Sequence, residues 1–375
     1  MQARKALPIL LGLVALLATG AKQDIDGVAK HVTYIRSSTQ KICQVTGDYD
    51  RERRQQTKNL TESRYGVSGT DLGFSFEHQG KTVFLFGDTH GRAKFYGADS
   101  IAFSTDISLD QCLNLKFNTG TDNNFLPPHV PGVSLGYFEV PSSGFSANGK
   151  MYVFFMTDHP RPESPGRAVL ATSDDDARTF SPVYDASQSK FINLSPVVVN
   201  NADIPGLPMS QGQGVLLWGS GQYRRSDPYL AYVPLNSVED RRAWRFFSGL
   251  DNGLPRWSEN EADAVPLFDH PCVGEFSVQR NPFLNKWVML YNCDRPRGIN
   301  FRVSDNPWGA WSATQLLFHP ISDNGYCSFI HTSYRQRVCD FVSDFGRELD
   351  WGGEYAPHMI PRLPRVTRLI RPSTT

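Results

Sequence analysis

Two short segments place an aspartate between small residues: Gly69-Thr70-Asp71-Leu72-Gly73 and Phe86-Gly87-Asp88-Thr89. Small neighbours let backbone approach closely and leave a carboxylate accessible. Five further acids, Glu139, Asp158, Glu275, Asp294 and Glu354, recur at the edges of apolar runs. Carboxyl groups converging on one site suit cleavage of a glycosidic bond. One donates a proton to the leaving oxygen, and the other attacks the sugar or activates water. Crowding of like charges raises the pKa of one of them and keeps the donor protonated near neutral pH. The competing reading is that both aspartates only cap turns.

What would bring these acids together is a repeated strand pattern. Apolar runs at residues 83–86, 151–156, 215–218 and 287–291 are too short for helices and rich in β-branched or aromatic residues. Each reads as a strand buried on both faces. Turn signals at Gln79-Gly80, Asn148-Gly149 and Asn285 join three of them to preceding strands, predicting hairpins over 72–86, 140–156 and 276–291. The 215–218 run pairs with 195–200 through a longer loop. Weaker outer strands are expected at 100–104, 168–172, 229–233 and 299–303. The unit recurs about 70 residues apart, longer than common propeller repeats, with the excess in loops. In a propeller, the residue before each innermost strand and the residue after the returning strand share one face. That rule gathers Asp71, Asp88, Glu139, Asp158, Glu275, Asp294 and Glu354, with Tyr137, Phe138, Trp218, Tyr223, Tyr291 and Tyr355 as sugar platforms or as packing between blades.

A fifth blade is expected around residues 352–360, incomplete or closed by an N-terminal strand at 32–35. The eight residues Ser173-Asp174-Asp175-Asp176-Ala177-Arg178-Thr179-Phe180 resemble the Asp-box turn of sialidase-like propellers, with Ala177 in the glycine position. Asp175 is therefore expected to form a turn.

Other chemistries are excluded or weakened. The chain carries 38 basic and 38 acidic residues, which gives no reason to expect nucleic acid or a charged membrane surface as partner. It contains no HExxH, GxSxG or glycine-rich phosphate loop. No cofactor is expected, and a channel metal ion is left open. Arg4 and Lys5 precede an apolar run at 6–17 and small residues to Ala21. This is the form of a secretory signal, expected over residues 1–21, ahead of an N-terminal segment at 22–64 and a propeller domain at 65–375. Six cysteines in an exported chain predict disulfides, and sequence alone does not choose among their 15 pairings. Cys272 and Cys293 flank one hairpin at the same end and are candidates to pair, which would leave Cys327 with Cys339 and Cys43 with Cys112. The expected product is a secreted, extracellular monomer acting on a polysaccharide.

In combination, GTDLG, LFGDTH, YFEVPSSGF, LLWGSG, GEFSVQRNPFLNKWVMLY and GGEYAPHMI resemble a propeller family long catalogued as a domain of unknown function, some of whose members are endo-D-arabinanases. The likeness runs from about Tyr65 to Ile360. It implies five blades, an acidic active-site mouth and Asp71 with Asp88 as the catalytic pair. Family members continue past GGEYAP with a Tyr- and Thr-rich strand, where this chain has Leu363-Pro364-Arg365-Val366-Thr367-Arg368. A non-catalytic carbohydrate-binding propeller is the alternative, and a structural or adhesion protein with a plugged mouth is a third.

Overall fold

The computed structural model describes residues 32–91, 98–106, 112–136, 138–159, 166–330 and 353–361. A two-stranded ribbon, β1 (Tyr49–Asp50) and β2 (Gln55–Gln56), and a short helix α1 (Thr61–Tyr65) lead into four antiparallel sheets. The first holds β3 (Val67–Gly69), β4 (Leu72–His78), β5 (Lys81–Gly91), β6 (Ala98–Ser104) and β7 (Lys116–Phe117); β4 to β7 follow chain order and β3 pairs with the end of β5. The second holds β8 (Val140–Ala147), β9 (Lys150–Thr157), β10 (Arg167–Ser173) and β11 (Ser181–Ser187). The third holds β12 (Asn193–Asn200), β13 (Gln213–Ser220), β14 (Pro228–Pro234), β15 (Arg245–Asp251) and β16 (Leu254–Ser258). The fourth holds β17 (Phe276–Asn281), β18 (Lys286–Asp294), β19 (Arg297–Ser304) and β20 (Gln315–Phe318), and a short helix α2 (Gly325–Ser328) follows. Each sheet is a meander starting at its innermost strand, which is the blade of a β-propeller.

The hairpin signals act as read. Gln79 and Gly80 both take positive φ, at 45° and 80°, and Asn148 and Gly149 do the same at 53° and 77°. Two left-handed residues in succession give the turn twist that matches antiparallel strands. The outer strands β6, β10, β14 and β19 also fall on the expected runs.

The core lies between blades, which explains why the second strands are apolar on both faces. Along β13, Val215 and Leu217 pack toward Phe154 and Leu170 of the second blade. Leu216 and Trp218 pack the other way, against Phe276, Val278 and Met289 of the fourth. Phe74, Val83 and Leu85 of the first blade meet Val153 and Phe155 of the second in the same manner. Alternation in a strand sends successive side chains to opposite faces, so burial on both sides requires an unbroken apolar run.

Four blades form among the described residues, where five were expected. The segment 353–361 lies beside β4 and β17 without joining a ladder. Its Pro357 carbonyl accepts from Ser277 Oγ at 2.8 Å, Met359 N donates to Ser277 Oγ at 3.0 Å, and the Met359 carbonyl accepts from Gln279 Nε2 at 2.7 Å and Ser75 Oγ at 3.4 Å. Side chains thus take up the Pro357 and Met359 backbone groups, and Pro357 and Pro361 have no N–H to offer a neighbouring strand. The expected strand at 32–35 is also absent. Tyr34 N donates instead to the Gln315 side chain on β20, and Thr39 Oγ1 donates to the Leu317 carbonyl.

Two of the predicted disulfides are present, Cys43–Cys112 and Cys272–Cys293, with Cα separations of 5.6 and 5.2 Å. The Cys327–Cys339 pairing and the signal segment lie outside the described residues. No helix among the described residues is long and apolar enough to cross a membrane.

Candidate active site

A cavity of about 300 Å³ opens where the inner strands begin. Asp71, Asp88 and Glu275 supply its carboxylates; Tyr223, Arg224 and Tyr355 form one wall; Leu72, Val140, Met156 and Ile192 supply apolar surface.

Local backbone places the two aspartates. Asp71 precedes β4, where Leu72 and Gly73 take φ of 58° and 108° and the pairing with β5 slips by a bulge between Leu72 and Phe74. Asp88 lies in a second bulge, between Phe86 and Thr89 in the pairing of β5 with β6. Bulges turn a side chain out of its regular alternation and recur beside active sites. Gly87 N donates to the Asp71 carbonyl at 3.2 Å, tying the two bulged segments together. A Cβ built on Gly87 would stand 2.4 Å from Asp71 Oδ1, so only glycine permits this approach.

Asp71 Oδ2 accepts from the Tyr355 hydroxyl at 3.0 Å. The remaining oxygen, Asp71 Oδ1, is buried without a hydrogen-bond partner among the described residues, as is Asp88 Oδ1. Opposite them, Arg224 Nε and Nη2 donate to the Glu275 carboxylate at 3.2 and 3.1 Å. The Arg224 guanidinium also lies over the Tyr223 and Tyr355 rings, at 4.6 and 5.1 Å from their centroids.

Residues 56–370 match the family described as "Domain of unknown function (DUF4185)". This chain belongs to the DUF4185 family. Among curated proteins no sequence match is found. Among solved structures, the DUF4185 chain is similar to an exo-β-1,3-galactanase from Phanerochaete chrysosporium (TM-score 0.47, 10% identity, 77% of this chain and 58% of that one). It is also similar to a putative exo-β-1,3-galactanase from Bifidobacterium bifidum (TM-score 0.44, 7% identity, 77% and 80%) and a GH43_1 enzyme from Xanthomonas citri (TM-score 0.39, 12% identity, 67% and 74%). The chain thus spans less than two thirds of the length of the Phanerochaete protein. At TM-scores this low the likeness carries no argument about the reaction.

Burial separates the two aspartates of the DUF4185 site. Desolvation pushes the Asp71 carboxyl up to about 7, against the Tyr355 hydrogen bond, and the nearby Asp88 and Glu275 charges push the same way. Asp88 is less deeply buried; desolvation raises it too, while His90 and a backbone hydrogen bond from Phe138 oppose the rise.

The other expected acids divide. Glu275 lines the cavity, but as the partner of Arg224. Glu139 turns inward instead: Oε2 accepts from Ser134 Oγ at 2.5 Å and Gly136 N at 2.7 Å, and Oε1 accepts from Asp158 N at 2.7 Å. It pins the loop before β8 to the end of β9. The Asp158 side chain points to Arg167, whose Nε donates at 2.5 Å. Glu354 pairs with Arg297 at 3.4 Å, one residue from the cavity wall.

Tyr291 is no substrate platform. It is fully buried between the third and fourth blades, with its hydroxyl on His270 Nδ1 at 2.9 Å and Thr314 Oγ1 at 2.9 Å. Tyr291 pairs with Phe276, the first residue of β17, and its side chain turns into the core between blades, three residues before β18 ends at Asp294. Trp218 is likewise core, Phe138, Tyr223 and Tyr355 do line the cavity, and Tyr137 lies outside the described residues. His270, Cys272 and Cys293 form the one group of three metal-ligating side chains found close together among the described residues, but the disulfide takes both sulfurs.

Sequence reasoning missed three residues. Asn193 lines the cavity as the first residue of β12, which begins two residues earlier than the expected strand at 195–200. Arg224 sits in the loop between β13 and β14 and carries no periodic signal. Asp99 on β6 stands across from the Asp88 bulge, 2% exposed, with both oxygens unpartnered among the described residues. Burial raises it well above the ordinary carboxylate range, and Asp88, Asp71 and Glu139 add to the rise, so its environment favours the neutral acid.

Proposed function

We propose that this DUF4185 chain is an extracellular glycoside hydrolase that cuts a furanoside polysaccharide, arabinan first among the candidates. The observation that carries the reaction class is the pair Asp71 and Asp88: both line one cavity, each with a buried oxygen unpartnered among the described residues, in environments that separate their protonation. Asp71, pushed up to about 7, keeps a substantial protonated fraction near neutral pH and in that form gives its proton to the glycosidic oxygen. Asp88 is the carboxylate that attacks the anomeric carbon or takes a proton from the attacking water. The aromatic wall of Tyr223 and Tyr355 offers a face to a sugar ring.

Arabinan as substrate rests on the motif resemblance alone. The apolar segment at 6–17 supports export, as do the two disulfides. The reading needs no cofactor and treats the chain as a monomer.

The test is incubation of the purified protein with arabinans and other polysaccharides, followed by reducing-end detection. Asp71→Asn and Asp88→Asn are each expected to abolish release while circular dichroism stays unchanged. Asp71→Asn alone should retain cleavage of an aryl furanoside whose leaving group needs no protonation. Full activity in both variants would remove the pair from the mechanism. Binding of a polysaccharide without cleavage by the wild-type protein would instead identify a carbohydrate-binding propeller.

A further inference from the structure

We propose that Arg224 is a positioning residue that acts on Asp71 through Tyr355, so that three separate parts of the chain set the state of one carboxyl. The inference rests on Asp71 being a reacting group, as above.

The contacts form a continuous path. Glu275, just before β17 and 5% exposed, accepts two hydrogen bonds from the Arg224 guanidinium. A carboxylate gripped on two nitrogens fixes the plane of the guanidinium. That plane lies over the Tyr355 ring at 5.1 Å, and the Tyr355 hydroxyl donates to Asp71 Oδ2 at 3.0 Å. Arg224 comes from the third blade, Glu275 from the entry to the fourth, Asp71 from the first, and Tyr355 from a segment outside any sheet. The clamp is therefore what holds the Tyr355 ring from the blade side. Backbone geometry around it is constrained: Arg224 takes φ of 51°, and a Cβ on Gly274 would stand 2.5 Å from Asn292 Nδ2 and 3.0 Å from Arg224 Cγ.

The consequence is electrostatic. Burial raises Asp71, and the Tyr355 hydrogen bond is the first effect opposing that rise. A donor that drifts off the carboxylate leaves the charged form less favoured and the pKa higher. The groups facing Asp71 are Asp88 on β5, Asp99 on β6, Glu275 before β17, and Tyr223, Arg224 and Tyr355 on the wall, with His159 across the cavity. Removing Arg224 also uncovers Glu275, which raises Asp71 directly. The test must therefore separate the path through Tyr355 from that direct charge effect.

Full-length protein carrying ¹³C-carboxyl aspartate is titrated by NMR, with the Asp71 resonance assigned from Asp71→Asn. Tyr355→Phe, which removes only the hydroxyl, should raise the Asp71 midpoint by roughly 0.5–1 pH unit. Arg224→Lys keeps the charge near Glu275 but loses the planar stack, and should raise it in the same direction. In the Tyr355→Phe background, Arg224→Lys should add nothing, because the path is already cut. An equal Arg224→Lys shift in both backgrounds, or no shift from either single variant, overturns the proposal. Arg224→Gln serves as the second variant, and there the shift through Glu275 alone should survive in both backgrounds. The titration uses no substrate, so a failed glycosidase reading leaves its outcome intact.

Discussion

Gly87 has no side chain because Asp71 stands where one would go. A methyl group there would meet Asp71 Oδ1 at 2.4 Å, Leu72 Cδ1 at 2.8 Å and Val140 Cγ1 at 3.0 Å. A clash with a buried carboxylate and two packed side chains relaxes only by moving the bulge that carries Asp88. Gly87→Ala is therefore expected to cost about 1–3 kcal/mol of stability by overpacking. Its larger effect should be on turnover, since displacement of about 1 Å at a reacting group costs roughly 100-fold. Steady-state kinetics beside a thermal melt checks both; a variant as active as wild type would show that the two bulges are not coupled.

Among the loop elements, the turn 173–180 shows how local chemistry substitutes for regular structure. Asp175 Oδ1 accepts from Ser173 Oγ at 2.8 Å, Arg178 N at 3.1 Å and Thr179 N at 2.9 Å, and Oδ2 accepts from Thr179 Oγ1 at 2.6 Å. Ala177 takes φ of 60°, which explains why glycine is the usual residue there and marks a strained position in this chain. Some desolvation raises Asp175, but the hydrogen bonds from Thr179, Ser173 and Arg178 outweigh it and hold the carboxyl below its ordinary range. A lowered folded-state pKa contributes stability above the unfolded value, and that contribution disappears as pH falls through the lowered one. Asp175→Ala should cost about 1–2 kcal/mol at neutral pH, the low end of what such a network gives because it is solvent-exposed. The difference from wild type should shrink in acid, as read from denaturant midpoints across pH. A gap that persists unchanged in acid would place the effect elsewhere than in the charged carboxylate.

At the scale of the whole molecule, the segment 353–361 matters most. It carries Tyr355 to the site yet is tied to the blades by side chains, chiefly Ser277 and Gln279. Replacing both with alanine removes three hydrogen bonds and is expected to cost about 2–3 kcal/mol. Turnover should fall further than stability, because Tyr355 loses its register against Asp71. Hydrogen exchange on 353–361 and kcat, measured together, check this; protected amides in a double variant would show that other contacts hold the segment.

The blade pattern was legible because it is local. An apolar run buried on both faces, entered through Gln79-Gly80 or Asn148-Gly149, specifies a hairpin with no reference to distant residues. The aspartates were legible for the same reason, since they stand at the two ends of one hairpin, before β4 and near the end of β5. What tertiary structure decided depends on neighbours far apart in the chain. It made Glu139 a loop anchor, turned Tyr291 into the core between blades, and brought Arg224 onto Tyr355. It also left 353–361 bonded by side chains where a fifth ladder was expected, because two prolines deprive that segment of the donors a ladder needs.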